Sequence, residues 1–530
     1  MNAFCASSCT SASICTSIQS GKVIEEELIN LQELASGLEN TIDQLRALQG
    51  STQARLDEIK SHGRALHLGE GLEKLPNELL SRIFYFAIQP LETNDLMSDI
   101  IRAPQMEDVL SLSHVNQRFL HVARATQDLW TTITRLAPLG IVEAFLQRSG
   151  VRGLKVFQSY NHRRVGTVHG LEQALCTVVH HASRLELLSL CMDEGKRQEA
   201  VHRIIMDAEN LKFPRLVKLN VVCPFDDTYQ EELMYGTLLE GRVPNLRSLD
   251  VPGYMLGACA VETLTSVHLD CQERCTSGDA AFSVDDLLAA LEELPSLRKL
   301  SLDMNYDTRW AVQYRNSRLP NVVLPTILDL QISTSSNIAT DAVGNIMLNA
   351  SFPNLEVLDL ILGTMNSRSD GDESDSILSV VRSLGNSRQK FMHLHTFSLG
   401  RFAYSDAGLP DEVHPSDAEV DERMLLRMPA LKDISFYAAA PAPTLALLGT
   451  EQLPFLESVS LYRCEHVGGY DILAMVKGRN SDSRGRVSHL TKLVVKDCLR
   501  LNERDYGPIK IAMEGYGLLD MDYYGKVPHS

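Results

Sequence analysis

The side chains in this chain that most resemble a set of metal ligands are one histidine and two cysteines close together in sequence. His268, Cys271 and Cys275 have the residue types and the close spacing of zinc ligands. A structural zinc site needs a fourth ligand, and no second Cys or His pair follows at a typical spacing. We therefore predict no metal site here, and we expect the scattered cysteines to be reduced thiols.

Other candidate catalytic residues lack recognisable partners in the sequence. His180 and His181 end an apolar, helix-like segment, and the acidic pairs Asp285–Asp286 and Glu292–Glu293 flank another such segment. The sequence contains no glycine-rich phosphate loop, no HExxH metal motif and no GxSxG nucleophile motif. This pattern favours a binding protein without catalytic residues or a cofactor. An enzyme of an unrecognised type, built on the repeats described below, stays an alternative.

Composition and charge argue against two broad classes of partner. The chain has 530 residues, and its 50 Lys and Arg against 68 Asp and Glu give a net charge of −18. Such an excess of negative charge repels phosphate backbones, so we expect no nucleic-acid partner. No apolar run approaches the roughly 18 residues of a membrane span, and the N-terminal sequence does not resemble a secretory signal. We expect a protein of the cytoplasm or the nucleus without a membrane partner.

The stretch 75–130 has the pattern of three short helices. It opens with LPNELLSRIFYFA, in which Pro76 suits a first helical turn and Leu79 and Ile83 share one apolar face. The interval 89–105 contains two prolines and predicts a loop, after which DVLSLSHVNQRFLHVARATQDLW resumes the helical pattern. About fifty residues make a small core. We therefore expect this module to bury spare apolar surface against another protein.

This stretch resembles an F-box, the helical module that docks on a Skp-family adaptor of cullin-RING ubiquitin ligases. The matching residues are LPxELLxxIF at 75–84 and LSLSHV at 110–115, followed by Phe119 and Leu129–Trp130. The arrangement is similar to that of F-box proteins from mushroom-forming fungi. Asn116–Phe119 occupy the place where this family often has Cys-Arg-x-Trp. The alternative is an unrelated helical subdomain.

The resemblance implies a substrate-recognition subunit of a Skp–cullin–F-box ubiquitin ligase. Such a subunit is not itself an enzyme: it binds the adaptor, and through it the cullin, and it presents an unknown target protein for ubiquitination. The candidate adaptor-binding residues are Leu75, Pro76, Leu79, Ile83, Val115, Phe119 and Trp130. Some of these residues must instead hold the three helices together, and the sequence does not separate the two roles.

A heptad pattern precedes this module and predicts a coiled-coil helix over 21–61. Apolar residues alternate steps of four and three from Ile24 to Ile59, with Gln49 and Thr52 as exceptions, and such a seam is typical of a coiled coil. The seam could pair two chains, or the helix could fold back on itself or on the rest of the protein. A leading helix of this kind is common in the fungal F-box proteins that this chain resembles. The alternative function is a scaffold without a ligase role, which uses the coiled coil and the repeats for binding.

The remainder of the chain repeats one phrase eleven times, from Leu185–Leu190 to Leu490–Val495. The phrase reads Leu, two residues, Leu, one residue, then Leu or Val, with related apolar residues in some copies. Apolar positions two residues apart lie on the same side of a strand, and stacked copies predict a parallel sheet with one continuous core. Most copies lie about thirty residues apart, which leaves room for a helix between strands. An ordinary α/β domain with several parallel strands is the alternative.

Strands and helices at this interval resemble leucine-rich repeats. The predicted fold class is α/β, with an N-terminal coiled-coil helix, a small three-helix F-box-like module and a leucine-rich-repeat-like solenoid of parallel strands and helices. We expect the residues that read a target to lie between the repeated leucines. The predicted segments are a disordered leader 1–20, the coiled-coil helix 21–61, the F-box-like domain 70–134, the repeat domain 135–514 and a tail 515–530.

Overall fold

The computed structural model describes most of the chain beyond residue 70, with gaps. The described residues are 71–72, 74–88, 106–134, 138–158, 168–191, 211–222, 242–252, 262–270, 284–304, 322–365, 380–384, 391–404, 423–438, 442–464, 466–481, 486–498 and 500–523, with isolated positions between 42 and 58 and at 377. The chain divides into two compact units, Met1–Phe84 and Tyr85–Ser530. The predicted leader 1–20 lies outside the described residues.

The predicted coiled coil falls in the first unit, and within the segment 21–61 the structure describes only scattered positions from Ile42 to Glu58. These positions are helical and exposed. The Gln53 Nε2 atom donates a hydrogen bond to Asp57 Oδ1 at 3.1 Å, across the four-residue spacing of one helical turn. Ile42 is the one seam residue among the described positions, so the pairing of this helix stays a prediction.

Ten helices are described beyond residue 70, and the boundary between the two units falls inside the first of them. They are α1 (Asn77–Ile88), α2 (Met106–His114), α3 (Gln117–Ala125), α4 (Leu139–Arg148), α5 (Val168–Val179), α6 (Val284–Glu292), α7 (Asn337–Asn349), α8 (Ala442–Leu448), α9 (Gly469–Asn480) and α10 (Glu503–Met513). Short 3₁₀ turns occupy Gln127–Trp130 and Ala182–Arg184.

Sixteen strands are described in the second unit. They are β1 (Thr132–Thr134), β2 (Leu154–Gln158), β3 (Leu185–Cys191), β4 (Lys218–Val222), β5 (Ser248–Pro252), β6 (Ser266–Asp270), β7 (Lys299–Met304), β8 (Val322–Val323), β9 (Asp329–Thr334), β10 (Ala350–Ser351), β11 (Val357–Met365), β12 (Thr396–Tyr404), β13 (Asp433–Tyr437), β14 (Ser458–Tyr462), β15 (Lys492–Cys498) and β16 (Leu518–Tyr523). Strands β8 and β10 form a separate parallel pair.

The other fourteen strands form one parallel sheet whose order in space is their order along the chain. Each strand pairs with the preceding and following strands of the sheet and with none further away. A sheet that grows in one direction without folding back is solenoid-like, because each unit contacts only its neighbours. The prediction of an α/β fold with a large parallel sheet is confirmed.

One apolar row crosses the whole sheet in register. Its members are Ile133, Val156, Leu188, Leu219, Leu249, Val267, Leu300, Leu330, Leu358, Phe397, Ile434, Val459, Leu493 and Leu519. In all eleven copies of the phrase, none of the three apolar positions is more than 8% exposed. The phrase therefore builds the core as predicted: two residues point inward from the strand and one from the turn before it.

Helices form the second layer of this unit. The segments that predicted helices between strands are α5, α6 and α7. Helix α7 packs on β9 and β11, and Ser336 caps it by accepting a hydrogen bond from the Ala339 N–H at 3.2 Å. Helix α7 also contacts α6, as α9 contacts both α8 and α10.

The sheet extends past both predicted limits of the repeat domain. Its first strand, β1, lies inside the segment 70–134 that we assigned to the F-box-like module, and its last strand, β16, lies inside the segment 515–530 that we assigned to a tail. Neither strand carries a full copy of the phrase. Each still places an apolar residue, Ile133 or Leu519, in the row that crosses the sheet, which accounts for its pairing there.

Candidate partner-binding surfaces

Of the first four candidate adaptor-binding residues, Leu79 and Ile83 lie on helix α1, and Leu75 and Pro76 directly precede it. Leu75 is half-buried and Pro76 is exposed, and the Pro76 carbonyl accepts the Leu80 N–H at 3.0 Å as the helix begins. Leu79 is 46% exposed and Ile83 is 42% exposed. These two side chains lie four residues apart, so they occupy one face of α1 and leave aliphatic surface open to a partner.

The same helix buries Leu80 and Phe84 completely or nearly so. Its last turns also expose two aromatic rings, those of Tyr85 and Phe86. The two rings meet edge to face, with their centroids 5.7 Å apart. A helix of twelve residues with apolar side chains on buried and exposed faces has more apolar surface than one core covers.

Val115 and Phe119 flank the junction between α2 and α3. Val115 is 59% exposed, whereas Phe119 is half-buried in the first turn of α3. The Asn116 Oδ1 atom accepts the Phe119 N–H at 2.8 Å and so caps α3. Asn116 is therefore the N-cap residue of α3.

Trp130, the last candidate, has no exposed surface. Its Nε1 atom donates to the Ala123 carbonyl at 2.7 Å, and its ring meets Phe145 edge to face at 4.8 Å. The Arg148 guanidinium lies 4.3 Å from the ring centroid. These contacts give Trp130 a role in packing within the second unit, so a substitution there would act first on the fold.

A second candidate surface is the side of the sheet opposite the apolar row. Residues of this side alternate with the buried leucines, and its central row runs in register through Ser189, Asn220, Asp250, His268, Ser301, Gln331, Asp359, Ser398, Ser435 and Ser460. We call this side the polar face. It is where we expected target-reading residues, although the sequence alone did not indicate which of them lie together.

Asp250, His268 and Ser301 form a cluster of polar side chains on the polar face. The His268 Nδ1 atom lies 2.8 Å from Ser301 Oγ, and its Nε2 atom lies 3.8 Å from Asp250 Oδ1. Burial raises the pKa of the Asp250 carboxyl to about 7, although the nearby Lys218 acts in the opposite direction. Burial also lowers the pKa of His268.

Aspartate, histidine and serine in a line have the residue types of a hydrolase triad. The distance of 3.8 Å between His268 and Asp250 is too long for the hydrogen bond that orients a catalytic imidazole. Strands β5, β6 and β7 pair with one another through their backbones beside this group. This geometry favours binding over nucleophilic catalysis.

Further carboxylates lie beside this group. Asp270 and Asp303 are in register on β6 and β7. Burial, reinforced by the negative charge of Asp270, raises the pKa of Asp303 to about 6, while His268 opposes this change. Lys299, also on β7, places its Nζ atom 3.1 Å from Asp329 Oδ2 on β9. The pKa of Asp359 on β11 is raised by burial and by Asp329.

An aromatic pair occupies the polar face further along the sheet. Tyr437 and Tyr462 are in register on β13 and β14, and their rings stack at 4.6 Å with an angle of 7° between planes. Ile361 lies in the same register row, on the far side of Gly400, and is exposed. Tyrosine side chains are frequent anchors in protein interfaces.

Of the three zinc ligands considered from sequence, the structure describes only His268. His268 lies on β6, while Cys271 and Cys275 lie outside the described residues. Among the residues that are described, no group of three or more His, Cys, Asp or Glu side chains has a geometry suited to a metal ion.

In comparisons with known proteins, no protein-family model matches the chain, and no curated protein has a significantly similar sequence. Within the described part of the chain, no helix combines the length and the apolar character required to cross a bilayer.

Proposed function

We propose that this chain is the target-binding subunit of a Skp–cullin–F-box ubiquitin ligase. The observation that carries the proposal is the pair of exposed aliphatic side chains on α1, Leu79 and Ile83, within a segment that resembles an F-box. Exposed aliphatic side chains on a short helix are suited to docking on a partner helix or groove. The adaptor would cover this face.

The repeat class of the sheet is part of the same proposal. We assign the solenoid-like array to the leucine-rich-repeat class, on the basis of the eleven copies of the phrase and the burial of their apolar positions. The polar face would then bind the target protein. The N-terminal helix would form a coiled coil, and the complex would act in the cytoplasm or the nucleus.

In this role the chain supplies proximity and orientation. The target lies on the polar face, the adaptor lies on α1, and a ubiquitin carrier bound through the cullin performs the chemistry.

The test is a pull-down of the full chain by a purified Skp-family adaptor. The variant Leu79→Asp/Ile83→Asp places two charges on the exposed face of α1 and leaves the buried Leu80 and Phe84 in place. Loss of about 1.5 kcal/mol or more at each position predicts at least a 100-fold weaker complex.

The control is Leu348→Asp, which introduces one such charge at an exposed leucine on α7. It should bind the adaptor as the unaltered chain does. A folded, unaltered chain that does not bind the adaptor would contradict the proposal, as would equal binding by the α1 variant.

A further inference from the structure

The last strand of the sheet, β16, has an open edge in the described part of the chain. It pairs with β15 on one side, and no described strand pairs with its other side. The Leu518 N–H donates to the Thr491 carbonyl at 2.8 Å, so the backbone groups of Leu518 and Asp520 face β15. Successive residues of a strand direct their N–H and C=O groups to opposite sides. The backbone groups of Leu519 and Met521 therefore face the open edge, where an additional strand can pair with them.

The core is incompletely covered at β16. Leu519 and Met521 belong to the two inward rows of the sheet, yet each of these side chains is only half-buried. The earlier members of the two rows, from Ile133 to Leu493 and from Leu190 to Val495, are at most 8% exposed. An additional strand would cover Leu519 and Met521 as each internal strand covers the side chains of its neighbours.

The first edge of the same sheet is covered. Ile133 on β1 is 3% exposed, although β1 pairs with a strand on one side only. Helices α2 and α4 pack against β1, and the Met106 N–H at the start of α2 donates to Thr134 Oγ1 at 3.2 Å. At the other edge, Ile511 on α10 is 71% exposed and Leu518 on β16 is 61% exposed. The last edge thus combines unpaired backbone with accessible apolar side chains, as expected of an interaction surface.

A second copy of β16 is poorly suited to this edge. In an antiparallel pair of identical strands, the two registers with the longest overlap place Asp520 opposite Asp520 or opposite the position of Asp522. Like charges directly opposite each other destabilise a strand pair. A basic residue suits this position instead: on the β15 side, the Lys496 Nζ atom already lies 3.0 Å from Asp520 Oδ2, and the Asp520 side chain stays 46% exposed.

We propose that the open edge of β16 binds an extended segment of a partner protein by strand addition, and that this segment has a Lys or Arg between two apolar residues. Its backbone pairs with Leu519 and Met521, its apolar side chains cover these two residues, and its basic group lies beside Asp520. This surface is additional to α1 and the polar face. The inference does not depend on the ligase role, and its test needs no adaptor.

The experiment begins with a selection of displayed random peptides against the full-length chain. Selected peptides are expected to share a basic residue flanked by apolar residues. One of them is synthesised with a fluorophore, and its affinity is measured by fluorescence polarisation. Hydrogen exchange, followed by mass spectrometry, should slow in the segment 518–523 when the peptide is bound, because the N–H groups of Leu519 and Met521 become hydrogen-bonded.

Two N-methylated forms of the peptide test the backbone pairing on the unaltered chain. Each form has methyl groups on alternate residues, so it lacks the N–H groups on one side of the extended peptide only. The form that loses the side facing β16 should bind at least about tenfold more weakly than the other form, because its donors to the strand are gone. Equal affinities of the two forms would contradict strand addition.

The variant Asp520→Lys tests the preference for a basic residue. It should weaken binding at least about tenfold, and a peptide with Glu in place of the basic residue should bind this variant better than the unaltered chain. The control Glu514→Lys makes the same change of charge at an exposed position shortly before β16 and should change the affinity less than about twofold. Selection of no peptide, selection of peptides without a basic residue, equal binding by Asp520→Lys, or exchange that slows only outside 518–523 would overturn the inference.

Discussion

Trp130 could dock on an adaptor, which requires an exposed ring, or pack in the core, which requires a buried one. Full burial, a hydrogen bond to Ala123 and contacts with Phe145 and Arg148 give it the environment of a core residue. We predict that Trp130→Ala lowers the stability of the second unit by about 3–5 kcal/mol, the usual cost of removing a buried aromatic ring. Circular dichroism during thermal unfolding measures this change.

The variant Trp130→Phe is the matched control, since it keeps an aromatic ring but loses the hydrogen bond to Ala123. It should be destabilised by less than Trp130→Ala. Unchanged thermal unfolding of the alanine variant would contradict the packing role and return Trp130 to the adaptor-binding set.

Asp250 predicts a pH dependence of stability. Its pKa is about 7 in the folded chain, against 3.8 for an ordinary aspartate, with Lys218 and His268 facing it from the adjacent strands. A folded state with the higher pKa holds its proton longer than the unfolded state, so this contribution to stability is lost as the pH rises from about 4 to about 7. Asp250→Asn removes this loss and should be more stable than the unaltered chain at pH 8, by up to about 4 kcal/mol.

Melting temperatures at pH 5 and pH 8 test this prediction. The difference between the two temperatures should be smaller in Asp250→Asn than in the unaltered chain. Asp433→Asn, at an exposed position on β13, should leave the difference unchanged. An Asp250→Asn protein with the same pH profile as the unaltered chain would contradict the assigned burial of this carboxyl.

At the scale of elements, Arg479 fixes the end of α9 to the segments on either side of it. Its guanidinium is completely buried and donates to five backbone carbonyls. The acceptors are the carbonyls of Leu448, Thr450, Leu453, Leu456 and Ser488, at 2.6 to 3.5 Å. Burial lowers the pKa of Arg479 to about 10, so the group keeps its charge at neutral pH.

We predict that Arg479→Met destabilises the protein by more than about 3 kcal/mol, because several buried carbonyls lose their donors together. Hydrogen exchange should increase first in the segment 442–464, whose carbonyls the guanidinium holds. Arg479→Lys keeps the charge but offers fewer donors, and an intermediate effect is expected. Exchange in 442–464 that is the same in the methionine variant would show that this contact contributes little.

The strands were predictable from sequence because a repeated apolar phrase has a direct structural consequence. Leu358 and Leu360, for example, lie two residues apart and are both buried in β11. The polar face was harder to predict, since Asp250, His268 and Ser301 are separated by 18 and 33 residues and meet only through strand register. A single sequence does not distinguish the polar residues between repeated leucines that cluster in space from those that do not.

The adaptor-binding candidates show the same limit at another position. Helical periodicity placed Leu79, Leu80, Ile83 and Phe84 in one broad apolar stripe. It did not show that Leu80 and Phe84 are buried while Leu79 and Ile83 are exposed. Strand β1 was missed because it has only three residues and one inward apolar side chain, Ile133. Its place in the sheet depends on its pairing with β2.

At the scale of the molecule, the sheet adds strands in chain order from β1 to β16. Repeat arrays of this kind form extended binding surfaces. Adaptor docking on α1 and target docking on the polar face would use separate parts of the chain. The central claim is therefore that one chain joins a ligase adaptor to a target.

The most direct test is to mix the full chain with a purified Skp-family adaptor and the adaptor-binding portion of a cullin, and to measure the mass of the assembly by light scattering during gel filtration. The account predicts one complex that contains all three components in fixed proportion and that does not form when the adaptor is omitted. Elution of the folded chain by itself, apart from an adaptor–cullin complex, would contradict the claim.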